Sequence, residues 1–205
     1  PPLSAALAAR PLCPHHRPHA MFCRRCHRAP EPASLWFCPH DGALLAAGRR
    51  VDHILTAPSP EAGQVIAGRY AIRGLLGQGG MALVYLAEDR STGEPVAVKI
   101  LNRDKTRDHD VRARFFREVE VARMLEHPGI LRILDAGELA GRAPFLVTEF
   151  LFGESLGQLL RRTPVLEPGF GIRLVGEAAA ALAAAHHMSV VHRDIKPDNL
   201  FQIGR

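Results

Sequence analysis

The sequence HRDIKPDN at residues 192–199 is the most informative stretch of this chain. It places a carboxylate at Asp194, an ammonium group two residues later at Lys196, and a carboxamide three residues further on at Asn199. Pro197 restricts the backbone between them, so the stretch is expected to form one tight loop. A carboxylate can orient a hydroxyl group or accept its proton, a lysine can neutralise a moving phosphate, and an asparagine can hold a metal ion. The combination therefore suits phosphoryl transfer.

A glycine-rich segment lies upstream, with the pattern Gly77-x-Gly79-x-x-Ala82-x-Val84 between two predicted strands. Glycines allow backbone amides to approach phosphate groups closely. Because β-type sequence follows the glycines where a dinucleotide-binding turn would have a helix, the segment predicts a strand–loop–strand flap. A plain hairpin turn is the alternative that this segment alone leaves open.

Lys99 ends the apolar strand sequence that begins with Val96-Ala97-Val98. Its ammonium group either reaches solvent along the aliphatic stem or meets a partner inside the protein. Glu118, near the apolar stripe of the next predicted helix, can supply that partner. Glu120 is a competing carboxylate on a different face of the same helix.

The hydrophobic pattern predicts strands, one helix, further strands and then helices. The predicted strands cover residues 70–76, 81–88, 95–101, 130–134 and 145–149. The predicted helices cover residues 111–126, 156–161 and 169–188, and Pro128-Gly129 stops the first of them. This order indicates an α+β fold.

Residues 192–199 resemble the catalytic loop of eukaryotic-like (Hanks-type) serine/threonine protein kinases, and the Lys196-Pro197 form favours these over tyrosine kinases. The glycine-rich segment, Lys99 and Glu118 follow the family's order and spacing. The resemblance covers roughly residues 70–205 and points to the bacterial branch. It implies a protein-kinase-like fold, with a β-rich N-terminal lobe that holds one helix, followed by the start of a helical C-terminal lobe.

The resemblance also implies roles for individual residues. Asp194 would be the catalytic base, Lys196 the γ-phosphate contact and Asn199 a magnesium ligand. Lys99 would contact the α- and β-phosphates of ATP and would be held by Glu118. The implied ATP-binding positions are Leu76, Gly77, Gln78, Gly79, Gly80, Val84, Ala97, Lys99, Thr148, Glu149, Leu151 and Phe201.

The family's Asp-Phe-Gly motif is expected roughly a dozen residues after Asn199, and the sequence given ends at Arg205. Because one of the two expected magnesium-holding groups is missing, we expect little or no kinase activity from this chain alone. The alternative is a non-catalytic nucleotide-binding or interaction scaffold. The presence of Lys99, Glu118, Asp194 and Asn199 together argues against that alternative.

Composition divides the chain into three parts. Residues 1–45 are rich in proline, histidine and arginine and hold all four cysteines, residues 46–68 predict a flexible linker, and residues 69–205 form the incomplete kinase domain. Two Cys-x-x-Cys/Asp pairs in the first part predict a small zinc-ribbon-like segment, with an unmetallated tail as the alternative. The predicted zinc ligands are Cys23, Cys26, Cys38 and Asp41, and His40, or Cys13 with His16, could supply the fourth.

The charge and hydrophobicity of the sequence restrict the kinds of binding partner that we expect. The net charge is +5, but the arginines are spread along the chain, so no nucleic-acid partner is expected. The resemblance implies ATP and the serine or threonine hydroxyls of proteins as partners. The longest apolar run, residues 175–185, contains Glu177 and is about half the ~20 residues that a membrane span needs. With no export signal either, we expect a cytoplasmic location.

Overall fold

The computed structural model describes residues 7–9, 44, 63–80, 82–102, 109–139 and 143–203. The chain divides into two compact units. The sheet unit holds the described residues of 13–108 and 135–150, and the helical unit holds those of 1–12, 109–134 and 151–205.

The secondary structure begins with short strands and ends with a turn and a strand. The strands are β1 (Leu7–Ala9), β2 (Val65–Ile66), β3 (Tyr70–Gln78), β4 (Ala82–Asp89), β5 (Pro95–Leu101), β6 (Ile133–Glu138), β7 (Pro144–Glu149), β8 (Gly153–Ser155) and β9 (Leu200–Ile203). The helices are α1 (His109–Arg123), α2 (Leu156–Arg162) and α3 (Pro168–His187), and a 3₁₀ turn covers Pro197–Asn199.

The sheet unit is built on six strands in the order β2-β3-β4-β5-β7-β6. Neighbours from β2 to β7 pair in antiparallel fashion. Valine, isoleucine and aromatic residues fit the pleated surface of a sheet, and here they supply its buried side. The largest fully buried side chains of this unit are Tyr70, Ile72, Leu86, Val96, Val98, Pro144 and Val147.

Asp89, at the end of β4, accepts hydrogen bonds from Arg69 and Ser91. It is only 4% exposed. Arg69 donates from Nε to Oδ1 over 2.8 Å and from Nη2 to Oδ2 over 2.7 Å, and Ser91 donates from its amide and its hydroxyl to Oδ1. The hydrogen bonds from Arg69, helped by those from Ser91, lower the pKa of Asp89 from 3.8 to about 2.

In the helical unit, each of the two later helices begins with a side chain that accepts hydrogen bonds from free amides. Ser155 accepts from the amide of Gln158, and the Gln158 side chain accepts in return from the Ser155 amide, which is a capping box at the start of α2. Glu167 accepts from the amides of Gly169 and Phe170 at the start of α3, where Pro168 occupies the first turn. These caps fix where α2 and α3 begin.

Leu200 contacts both apolar clusters of the helical unit. One cluster consists of Ile130, Ala181 and Ala185, and the other of Leu156, Leu159 and Leu174. Leu200 is partly buried against each of them. It begins β9, which lies between β8, its antiparallel partner, and β1, its parallel partner, in a three-stranded sheet.

The predicted elements are confirmed in type, with exceptions at the boundaries. The strand predicted at 130–134 is wrong in position, because β6 covers Ile133–Glu138 and Ile130 is a buried residue that packs against Ala181 and Ala185. The first helix ends at Arg123, three residues before its predicted end. The predicted linker at 46–68 ends in a strand, β2, and neither β2 nor the short strands β1, β8 and β9 were predicted.

The hydrogen bonds of Asp89 predict a measurable loss of stability in Asp89→Asn. We expect the free energy of unfolding to fall by roughly 2 kcal/mol at pH 7. The asparagine carboxamide cannot replace the ionised carboxylate that accepts from two nitrogens of Arg69. The folded-state pKa is depressed, so the stabilisation is complete above pH 3.8 and is lost as pH falls through about 2. Urea unfolding at several pH values measures it. The control is Glu94→Gln, at an exposed carboxylate in the same hairpin, and an equal effect of both variants would contradict the prediction.

Candidate active site

Asp194, Lys196 and Asn199 lie in direct contact in the helical unit. The Lys196 ammonium nitrogen lies 2.9 Å from Oδ2 of Asp194. The Asn199 side-chain nitrogen donates to the backbone oxygen of Asp194 over 2.7 Å and to its Oδ2 over 3.0 Å. We call these three residues the Asp194 cluster. The structure therefore brings together the three residues that the sequence predicted to act as a group.

The local backbone explains how these residues meet. Pro197 begins a single 3₁₀ turn, in which the Asn199 amide donates to the Lys196 carbonyl over 2.9 Å. This turn reverses the chain so that the Asn199 side chain points back at Asp194. Arg193, the residue before Asp194, has a φ of 63°. This left-handed conformation costs energy in any residue other than glycine, and it recurs at functional sites.

The environment of Asp194 favours its ionised form. The hydrogen bond from Lys196, followed by that from Asn199, lowers the pKa of the Asp194 carboxyl below its usual value. The Asp194 side chain is 32% exposed, so a reactant can reach it. His192, to which sequence analysis gave no role, accepts a hydrogen bond from the Asp194 amide at its Nδ1 over 3.3 Å. The only signal for that contact was an imidazole two residues before the carboxylate.

The glycine-rich segment lies in the sheet unit, at the end of β3 and in the turn before β4. The Gly79 amide donates to the Ala82 carbonyl over 2.9 Å. Gly77, Gly79 and Gly80 have no positive φ, and a β-carbon added at Gly77 or Gly80 would meet no atom within 4 Å among the described residues. Gly93, by contrast, has a φ of +72° and is required by its turn. The fold itself therefore gives no reason for glycine at 77, 79 and 80.

The strand register gathers several predicted ATP-binding residues on one face of the sheet. Val84 lies opposite both Gly77 and Lys99, and Ala97 lies opposite Thr148. Residues directly opposite each other, or two apart on one strand, point to the same side. The predicted positions on that face are Gly77, Val84, Ala97, Lys99 and Thr148, whereas the intervening Val96 and Val98 are buried on the other face.

Lys99 is half-buried on this face. Removal from solvent lowers the pKa of its ammonium group below the usual value. Thr148 is buried, and its hydroxyl donates to the Glu149 carbonyl over 3.2 Å.

Leu76 and Gln78 lie in β3 and Glu149 ends β7, all in the sheet unit, whereas Glu118, Leu151 and Phe201 lie in the helical unit. Glu118 is half-buried on α1 beside the buried Val119, whereas Glu120 is exposed, as the helical pattern predicted. Leu151 and Phe201 are half-buried. Because Lys99 and Glu118 belong to different units, their pairing stays a prediction.

The predicted zinc ligands Cys23, Cys26, Cys38 and Asp41 lie outside the described residues. Within the described ranges, no group of three or more histidine, cysteine, aspartate or glutamate side chains is arranged to hold a metal ion. The same ranges contain no helix with the length and apolar character of a membrane span.

Comparison with known proteins identifies the family of this chain. The family profile described as "Protein kinase domain" matches residues 70–203. The chain belongs to the protein kinase family. The crystal structure of the Mycobacterium tuberculosis PknI kinase domain superposes with a TM-score of 0.61 at 31% identity, covering 71% of this chain and 62% of that one. The predicted protein-kinase-like fold is thereby confirmed.

Curated bacterial kinases are similar over the same region. Serine/threonine-protein kinase pkn2 of Myxococcus xanthus is 42% identical over 137 residues, which is 67% of this chain and 16% of pkn2. Serine/threonine-protein kinase PrkC of Bacillus subtilis is 40% identical over 138 residues, or 67% of this chain and 21% of PrkC. The kinase chain thus spans about a fifth of the length of these relatives.

The side chain of Asn199 fits the magnesium ion that the kinase family uses. Both contacts to Asp194 use the amide nitrogen, and no donor among the described residues reaches the amide oxygen. A carboxamide oxygen is a suitable ligand for a hard cation such as Mg²⁺. The hydrogen bonds to Asp194 thus orient Asn199 with its oxygen available.

The contact between Lys196 and Asp194 predicts a pKa change in Lys196→Met. Loss of the ammonium group removes the main cause that lowers the pKa of Asp194, so that pKa should rise toward its usual value. Carboxyl-carbon NMR titration of Asp194 measures the shift without requiring activity. Arg161→Met, which removes a cation outside the Asp194 cluster, should leave that pKa unchanged. An unaltered titration in Lys196→Met would contradict the assigned cause.

Proposed function

We propose that the gene product carrying this chain is a serine/threonine protein kinase that transfers the γ-phosphate of ATP to protein hydroxyl groups. The observation that supports it best is the contact of Asp194 with both Lys196 and Asn199. A chance polar loop has no reason to hold an ionised carboxylate, a lysine and an oriented carboxamide together. The curated relatives are themselves named serine/threonine-protein kinases.

The chemistry proposed for this loop is an in-line phosphoryl transfer. Asp194 orients the incoming hydroxyl and takes its proton as the oxygen bonds to the γ-phosphorus, while the bond from that phosphorus to the bridging oxygen breaks and ADP leaves. Lys196 neutralises charge on the transferred group. Asn199 offers its amide oxygen to the magnesium ion, which supplies positive charge at the phosphates when bound.

The sheet unit supplies the ATP-binding half of the proposal. The glycines at 77, 79 and 80 leave space for the phosphates, and Lys99 carries a cation on the same face as Val84 and Ala97. Glycines that the fold does not require are consistent with the close approach of a ligand. We propose that this face, together with Thr148, binds ATP. The other predicted ATP-binding positions, Leu76, Gln78, Glu149, Leu151 and Phe201, rest on the family resemblance alone.

For the first part of the chain, the cysteine spacing alone leads us to propose a zinc-ribbon-like segment at 1–45, joined by a linker at 46–68 to the kinase domain at 69–205. Cys23, Cys26, Cys38 and Asp41 would hold a structural zinc ion. Zinc analysis by inductively coupled plasma mass spectrometry should find one equivalent in the purified protein. A Cys23→Ser/Cys26→Ser variant should lose it, and equal zinc in both proteins would refute the site.

The proposed kinase activity is tested with Asp194→Asn in the full-length gene product. The substitution preserves shape but removes the base, so phosphate transfer from radiolabelled ATP to a protein substrate should fall by roughly 10²–10⁴-fold. Asp110→Asn, at an exposed aspartate in the first turn of α1, is the matched control and should keep full activity. Equal activity of the two variants would rule out the proposed role of Asp194.

The ATP-binding flap is tested by comparing two glycines. Gly79→Ala should weaken ATP binding severalfold without lowering the free energy of unfolding. The folded protein has room for the added methyl group, but bound phosphates would occupy that space. Gly93→Ala should lower the free energy of unfolding by about 1 kcal/mol, since φ is positive there, and should leave ATP affinity unchanged. Calorimetric titration and thermal unfolding separate the two effects. Unchanged ATP affinity in Gly79→Ala would contradict the flap.

A further inference from the structure

Gly157, in the first turn of α2, is buried and lies directly against Asp198 of the 3₁₀ turn. A β-carbon at Gly157 would overlap Oδ1 of Asp198, would lie 2.8 Å from its Cγ, and would lie 3.3 Å from its backbone nitrogen. The carboxyl group of Asp198 would have to move to make room, and its backbone nitrogen would have to give by a smaller amount. A larger residue at 157 would therefore shift the turn, mainly through its overlap with the Asp198 side chain.

Arg161 lies four residues after Gly157, and residues with this spacing share one face of a helix. Its Nη1 lies 3.4 Å from Oδ1 of Asp198, with side-chain exposures of 67% and 57%. An ion pair this exposed contributes little stability. The close approach of Gly157 therefore constrains the position of Asp198 more strongly than the ion pair with Arg161 does.

Displacement of Asp198 would be transmitted to the Asp194 cluster. Asp198 directly precedes Asn199 in the chain. The Asn199 amide donates to the Lys196 carbonyl, and the Asn199 side chain donates two hydrogen bonds to Asp194. On the far side, Leu200 is held by two apolar clusters. The turn is thus held at its middle residue by Gly157 against Asp198, and just after its end by the packing of Leu200.

We propose that Gly157 is a positioning residue, which lets α2 hold the 3₁₀ turn where the Asn199 amide oxygen is correctly presented to the metal ion. The proposal rests on the function proposed above. Asp198 enters it as the group that fills the space beside Gly157 and not as a group that touches the reactants.

The test compares helical glycines in the full-length gene product. Gly157→Ala should increase amide hydrogen exchange in the peptide covering residues 192–203 and leave exchange in β3–β5 unchanged. It should also weaken Mn²⁺ affinity roughly tenfold, as loss of a support around a metal ligand does, measured by electron paramagnetic resonance with ADP present. Gly176→Ala in α3, where a β-carbon meets no atom within 4 Å among the described residues, should change neither quantity.

A second substitution separates positioning from general damage. In Gly157→Ala/Asp198→Ala the shortened side chain removes the main overlap, so exchange and Mn²⁺ affinity should move back toward the wild-type values. Unchanged exchange in Gly157→Ala, or a double variant as impaired as the single one, would overturn the proposal. If exchange responds as expected but the wild-type protein binds neither ADP nor Mn²⁺, the positioning of the turn stands and the proposed function fails.

Discussion

The packing of Leu200 is the constraint on which the geometry of the Asp194 cluster depends. The three side chains of the Asp194 cluster lie on one loop, and a loop holds such groups in place only if its ends are fixed. Leu200 fixes one end by contacting two apolar clusters, which contain residues from α2, α3 and the segment around Ile130. Leu200 is partly buried, so its packing contributes a fraction of the about 1.5–3 kcal/mol that full burial of a leucine side chain gives. The polar site is therefore positioned by apolar packing.

In the sheet unit, the register between strands takes the place of a fixed loop. The predicted ATP-binding residues of this unit come from separate strands, and the antiparallel register alone determines which of them share a face. A shift of one residue between β4 and β5 would turn Lys99 and Ala97 away from Val84. The alternation of buried Val96 and Val98 with half-buried Ala97 and Lys99 prevents such a shift, because it would expose the valines.

The sequence predicted the parts of this structure that depend on local pattern. The alternation in β5 and the set Asp194, Lys196 and Asn199 each lie within a few neighbouring residues of the sequence. The strand and the contact among the three side chains could therefore be predicted. The contact of Gly157 with Asp198 could not, because it joins residues 41 positions apart through the angle at which α2 meets the turn. The strand predicted at 130–134 is displaced in the structure for a related reason. Apolar residues mark burial, and only the tertiary structure decides whether a buried residue such as Ile130 joins a continuous strand.

Asn199, the proposed magnesium ligand, shows why a weaker cation ligand can be the better choice. A carboxylate attracts a magnesium ion more strongly than an amide oxygen does, yet aspartate at this position would have no donor for Asp194 and would set two negative charges about 3 Å apart. One of the two would then tend to hold a proton. The carboxamide is the side chain of this length that offers a donor to its neighbour and an oxygen to the ion at once. An engineer who sought tighter metal binding by adding charge here would lose the ionised state of the neighbouring aspartate.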